Sequence, residues 1–128
     1  MKLVVDTNIV FSLHNKDSFT YNLVQQKTLL LFAPEFLKKE LKKYTPEIQR
    51  KFGKHNIHLE EFITFVDEKE YAHLLTTAQE VSPDPDDVDF FALALMMNIP
   101  IWSLDKRLQQ QDEVLVITTH DLAEALLD

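Results

Sequence analysis

Leu3-Val4-Val5-Asp6-Thr7-Asn8 decides the fold: a short apolar run ends on a carboxylate followed by two polar residues. An uninterrupted apolar run of this length reads as a strand covered on both faces, the condition of a parallel sheet. The pattern recurs late in the chain, where Ile99-Pro100-Ile101-Trp102-Ser103-Leu104 runs into Asp105. In open α/β sheets ligands bind in the crevice beyond the carboxyl ends of the strands, so two strands finishing on Asp are candidates for one shared site.

Outward from these two runs, strand-like segments alternate with helical patterns. That alternation predicts one domain over residues 1–128, an α/β three-layer sandwich with helices on both faces of a central, mainly parallel sheet of about four to five strands. Strands are predicted at Leu3–Asp6, Leu29–Ala33, Ile99–Leu104 and Val114–Thr118, while Leu59–Val66 fits a helix or a strand equally. A helix falls within Ser18–Thr28. Another spans Glu35–Tyr44, where Leu37, Leu41 and Tyr44 recur at helical spacing with lysines opposite. Pro46–Phe52 forms a short helix stopped by Gly53, the chain's single glycine and a predicted left-handed cap. Glu68–Val81 is a further helix. Asp84 caps the next, with Pro85 at its first position, a buried stripe of Val88, Phe91, Ala92 and Leu95, and Asn98 and Pro100 at its close. A helical turn at Asp105–Gln111 and a terminal helix at His120–Leu127 complete the pattern.

At 128 residues the chain is long enough to bury roughly two-thirds of its unfolded surface around one core. It has no cysteine, which excludes disulfides, thiolate zinc sites and cysteine nucleophiles and suits the cytoplasm. No apolar run approaches the roughly 20 residues that span a bilayer, and the first residues lead into a strand rather than a signal peptide. The net charge of −8 argues against a polyanion partner, but its distribution argues the other way. Lys38, Lys39, Lys42, Lys43, Arg50, Lys51 and Lys54 cluster against Glu40 and Glu47 alone, while Glu80, Asp84, Asp86, Asp87 and Asp89 form an acidic block without a base. Solvated helix faces explain such runs about as well as a binding surface does.

Glu40 lies three residues after Leu37 and four before Tyr44, on the apolar side of its helix, so it faces or borders the core. An inward carboxylate needs a cation, hydrogen bonds or a functional cleft, although for Glu40 alone an ion pair with Lys39 or Lys43 is the simpler reading. Asp84, Asp86, Asp87 and Asp89 crowd a helix start, where capping and the macrodipole favour acids. Among them Asp87, four residues before Phe91, borders the stripe that packs on the sheet and ranks ahead of Asp86 and Asp89 as the third acid; Asp84 is best explained as the cap, and three residues from Asp87 it can also support it. Asp6, Glu40, Asp87 and Asp105 come from four elements whose ends can meet at one sheet edge. Acids gathered there repel one another unless a hard cation neutralises them, and oxygen-only ligation suits Mg²⁺ or Mn²⁺ better than zinc. Such an ion can polarise a phosphate and acidify a bound water, which points to phosphodiester hydrolysis.

The segments VVDTN, APEFLKKEL, DPDDVDFFALAL and PIWSLDKRL, in this order over nearly the whole chain, resemble those of PIN domains. The resemblance implies a metal-dependent endoribonuclease with an α/β/α sandwich and an acidic quartet at Asp6, Glu40, Asp87 and Asp105. Asp6, Asp87 and Asp105 would hold the metal, Glu40 would hold it or orient the attacking water, and Asn8 and Ser103 match supporting polar positions. Leu104 stands where many relatives carry a polar residue or glycine. The best-known small members of the family are toxins of VapBC-type pairs, so the resemblance implies RNA as substrate, a homodimer and either a toxin with an antitoxin partner or a stand-alone RNA-processing enzyme, between which no residue decides. The basic segment suits phosphate binding beside the site; Tyr44 and Phe52 can stack on bases, though packing onto the core is the commoner fate of such aromatics.

The histidines have no metal-ligand spacing, and the serines lack a nucleophile-elbow context. Two rivals remain. A receiver or phosphatase-like phosphotransfer domain also places an Asp after its first strand, but the phosphatase needs an acid two positions on, where this chain has Asn8. A non-catalytic binding module would keep the fold and use an apolar surface instead.

Overall fold

The computed structural model describes residues 1–26, 28–53 and 58–127; Lys54 and His55 lie outside them. Five strands form: β1 (Lys2–Val5), β2 (Leu30–Pro34), β3 (Ile63–Val66), β4 (Ile101–Trp102) and β5 (Val116–Ile117). They make one sheet in the order β3-β2-β1-β4-β5, with every pairing parallel. The central position of β1 explains its composition, since Leu3, Val4 and Val5 are wholly buried between the layers on either side. The chain builds outward from β1 to β2 and β3, then returns to the other side of β1 for β4 and β5. The strand order therefore reverses between β1 and β4, and a crevice is expected there.

Helices flank the sheet: α1 (Thr7–Ser12), α2 (Phe19–Gln26), α3 (Phe36–Lys43), α4 (Thr45–Phe52), α5 (Glu68–Tyr71), α6 (Leu75–Val81), α7 (Val88–Met97) and α8 (Thr119–Leu127). The three-layer α/β/α architecture read from the sequence is the one observed. α7 packs against β1, β2, β4 and α6 together. Its expected one-sided stripe is accordingly replaced by burial all round, from Phe90 to Ala94, as befits a helix apolar on every face. Trp102 is fully buried, and its indole N–H is satisfied by Thr119 Oγ1 at 3.0 Å. Among the described residues no helix is long and apolar enough to cross a membrane.

Several local expectations are corrected. The first strand ends at Val5, because Asp6 caps α1, a helix whose short polar opening Thr7-Asn8 hid its apolar Ile9 and Val10. The ambiguous Leu59–Val66 segment divides into a 3-10 turn at Leu59–Glu61 and strand β3. The single helix expected over Glu68–Val81 is broken by a 3-10 turn at Ala72–Leu74. The backbone leaves helical geometry at Tyr71 (φ −117°, ψ 2°), where the ring is buried and the hydroxyl donates to Asp89 Oδ2 at 2.6 Å. Gly53 has the positive φ expected of it, 85°, but its ψ of 179° is extended rather than left-handed helical, a region open essentially to glycine alone. The left-handed cap proper is Asn98, which ends α7 at φ 55° and ψ 49°.

Candidate functional site

The register of the central strands places the site. Val4 pairs with Ile101 and Val5 with Trp102, so Asp6 and Ser103 are the next facing positions beyond the strand ends. Both are buried, at 3% and 1% exposure. Ser103 Oγ donates to Asp6 Oδ2 and accepts the backbone N–H of Asp105 at 2.9 Å, so one hydroxyl ties the acids of two strands together. The other oxygen, Asp6 Oδ1, accepts the Ile9 N–H at 3.1 Å as the N-cap of α1. Burial pushes the Asp6 carboxyl above the ordinary carboxylate range; the bonds from Ser103 and Ile9 oppose that push, and the charge of Asp105 reinforces it.

The second element is the acidic turn before α7. Asp84 accepts the Asp86 N–H at 2.9 Å and caps a 3-10 turn over Pro85–Asp87, as its sequence position suggested. Asp87 occupies the joint between this turn and α7, at φ −104° and ψ 6°, outside regular helical geometry. Its half-buried carboxyl is pushed up to about 6, first by desolvation and then by the charges of Asp84, Asp6, Asp105 and Asp86. Desolvation and like charge act on the same group from several chain segments, so the fold brings Asp6, Asp84, Asp87 and Asp105 into one electrostatic neighbourhood. Asp86 is exposed, and Asp89 is engaged by the Tyr71 hydroxyl.

Sequence reasoning missed Arg107. Its Nε and Nη2 take both oxygens of Asp105, at 3.1 to 3.2 Å and 2.8 Å, while Nη2 also stands 4.0 Å from Asp84 Oδ2. This guanidinium holds the Asp105 carboxyl below the usual range. The signal was an arginine two residues after a strand-end acid, a spacing that lets one side chain fold back on the other. Asp84 combines its capping role with a place beside Asp87 and Arg107, as its spacing of three residues from Asp87 allowed.

Glu40 is not drawn into this neighbourhood as directly. It is partly exposed and pairs with Lys43 Nζ at 3.4 Å, the simpler of the two readings its position allowed. One turn earlier, Phe36 packs edge-on against Phe90 of α7 with ring centroids 5.8 Å apart, so this side of α3 faces the helix that carries Asp87. Asn8 is exposed, and its backbone N–H adds a further bond to Asp6. Phe36 also lines a cleft of about 710 Å³ between α3 and the start of α7, with Lys38, Lys39 and Lys42 on one wall and Asp86, Asp89 and Tyr71 on the other. Phe52 packs on the half-buried Phe11 with centroids 5.6 Å apart, whereas Tyr44 remains exposed.

The donors at the sheet edge are carboxylate oxygens, a hard set that fits Mg²⁺ or Mn²⁺, and their mutual repulsion is relieved on one side by Arg107. Their oxygens are not gathered to ligating distance as a complete set. Among the described residues the one group of potential ligands already within 4.8 Å of each other is His120, Asp121 and Glu124, all exposed on α8.

Comparison with known proteins agrees with this architecture. The PIN domain family profile matches residues 4–119, from β1 into the start of α8. The chain belongs to the PIN-domain family. No curated protein matches it. Among solved structures, this PIN domain is similar to a chain of VapBC2 from Rickettsia felis, crystallised bound to a DNA fragment from their promoter. The two share 17% identity and superpose with a TM-score of 0.64 over 92% of this chain and 98% of that one. At this identity the likeness speaks to the fold.

Proposed function

We propose that this PIN domain is a Mg²⁺- or Mn²⁺-dependent endoribonuclease. The observation that carries the reading is Asp87, whose carboxyl is raised to about 6 by burial and by acids from both neighbouring strand ends at the point where strand order reverses. Asp6, Asp87 and Asp105 would hold the ion, and Glu40 would hold it or orient the attacking water. A divalent ion in such an oxygen-lined crevice supplies Lewis acidity to a phosphodiester and lowers the pKa of water. The chain's own residues supply the frame. Ser103 and the Ile9 N–H fix both oxygens of Asp6, and Ser103 fixes the backbone of Asp105. Lys39 and Lys42 of α3 offer cations for the RNA backbone along the neighbouring cleft.

A phosphotransfer role is disfavoured because Asn8 stands where a phosphatase needs an acid. The likeness to a chain of VapBC2 supports the narrower proposal of a toxin silenced by an antitoxin peptide; a cytoplasmic homodimer is proposed with it. Purified protein with Mn²⁺ is expected to cut single-stranded RNA, and Asp6→Asn to lose cleavage while keeping its circular dichroism spectrum. Equal activity in that variant overturns the assignment. Co-purification with the product of an adjacent small gene and sedimentation analysis test the antitoxin and the dimer.

A further inference from the structure

Arg107 is bound to an acid that the proposed function needs for another purpose. Its side chain is 72% exposed, rises from the 3-10 turn at Lys106–Gln109, and grips Asp105 through a two-nitrogen fork while its Nη2 faces Asp84. A guanidinium presents a planar fork that suits carboxylate and phosphate equally. An ion pair this exposed is weak and readily exchanged. Asp6, by contrast, is buried and tied by Ser103 and Ile9, so no comparable exchange is open to it.

We propose that Arg107 is an exchangeable counter-ion: it neutralises Asp105 and Asp84 in the metal-free protein, leaves Asp105 when a divalent cation enters, and then grips a phosphate of the bound RNA. The inference rests on the nuclease reading of the site. Three features support it. The fork sets a cation against both oxygens of Asp105, so an entering metal ion competes with it by charge as well as by position, whereas the partners of Asp6 are neutral. Arg107 has no buried anchor that would hold it there. Its length and exposure let the released guanidinium reach a phosphate seated against the same acids.

The test compares wild type, Arg107→Ala and Arg107→Lys by Mn²⁺ calorimetry and by anisotropy of a short fluorescent oligouridine, with EDTA or with Ca²⁺. Removing the competing fork should tighten Mn²⁺ binding about 3- to 5-fold in both variants, because lysine keeps the charge but not the two-pronged grip. Arg107→Ala should weaken oligouridine binding about 5-fold or more in Ca²⁺ and less than about 2-fold in EDTA, where the wild-type arginine is still held by Asp105. A gain in Mn²⁺ affinity for the alanine variant alone reduces the effect to net charge and overturns the exchange. An equal loss of oligouridine binding with and without Ca²⁺ shows a fixed surface contact and also overturns it. If wild type takes up no Mn²⁺, the nuclease reading itself has failed, an outcome distinct from Mn²⁺ binding that is the same in all three proteins.

Discussion

Two groups of potential metal ligands in this molecule contrast sharply. On α8, His120, Asp121 and Glu124 already bring their ligand atoms within 4.8 Å, with His120 Nε2 3.1 Å from Glu124 Oε1, yet all three are exposed. At the sheet edge, the acids that follow β1 and β4 and precede α7 are less tightly gathered, but Asp6 is buried and Asp87 is raised to about 6. Proximity on a solvated helix face comes with sequence spacing and costs almost nothing. Desolvation of several like charges from separate elements is costly, and a fold retains it where the charges have work to do. The sheet-edge group is therefore the candidate for chemistry.

The contrast can be broken most decisively at Asp6. Asp6→Asn keeps an acceptor for the Ile9 N–H and should lower Mn²⁺-dependent RNA cleavage about a thousandfold, the size of several kcal/mol of lost transition-state stabilisation, in single-turnover assays. Asp87→Asn comes next. It should weaken Mn²⁺ binding about 10- to 100-fold by calorimetry while raising the melting temperature of the metal-free protein by about 3–5 °C, because a repelled, half-buried charge is removed. Loss of binding together with a gain in stability is a pairing that a merely structural carboxylate would not give.

The same group sets the pH response. Asp87 binds its proton more tightly folded than unfolded, so between about pH 4 and 6 the native state carries more protons and stability rises as pH falls. Burial shifts Asp6 in the same direction, whereas Asp105, held low by Arg107, opposes it at the acid end. Metal-free protein should gain about 1 kcal/mol on acidification through pH 6, a figure discounted for solvent screening at a half-buried group, and saturating Mn²⁺ should abolish the gain. Urea titrations with and without Mn²⁺ across this range measure it.

The fold was largely legible because β1 and β4 announce themselves: apolar runs without alternation belong to the middle of a parallel sheet, and the acids after them mark its carboxyl edge. Pro34, Pro85 and Asn98 likewise punctuated the helices and strands. What stayed hidden depends on tertiary partners. The break at Tyr71 follows from a phenol that must reach Asp89, and the all-round burial of α7 follows from its contact with three strands. Within the site, Asp6, Asp87 and Asp105 could be named from position, since each ends or begins an element. Arg107 was harder to name, because the spacing of two residues after Asp105 permits the fork and equally permits an arginine that points into solvent. The partner of Glu40 was open for the same reason, and the structure gives it Lys43.

Smaller effects sharpen the picture further. Lys39→Ala and Lys42→Ala should each weaken oligonucleotide binding about 3-fold and reduce the slope of log affinity against log salt by about 1, as phosphate contacts do. Replacing His120 and Glu124 with alanine should change neither Mn²⁺-dependent cleavage nor stability by more than about 0.5 kcal/mol, the usual range for an exposed pair.

The most direct measurement is anomalous diffraction from crystals soaked in Mn²⁺. A peak coordinated by Asp6, Asp87 and Asp105 is expected, with the Arg107 guanidinium moved off Asp105. A peak at His120, Asp121 and Glu124 instead, with the sheet-edge acids arranged as they are without metal, would contradict it.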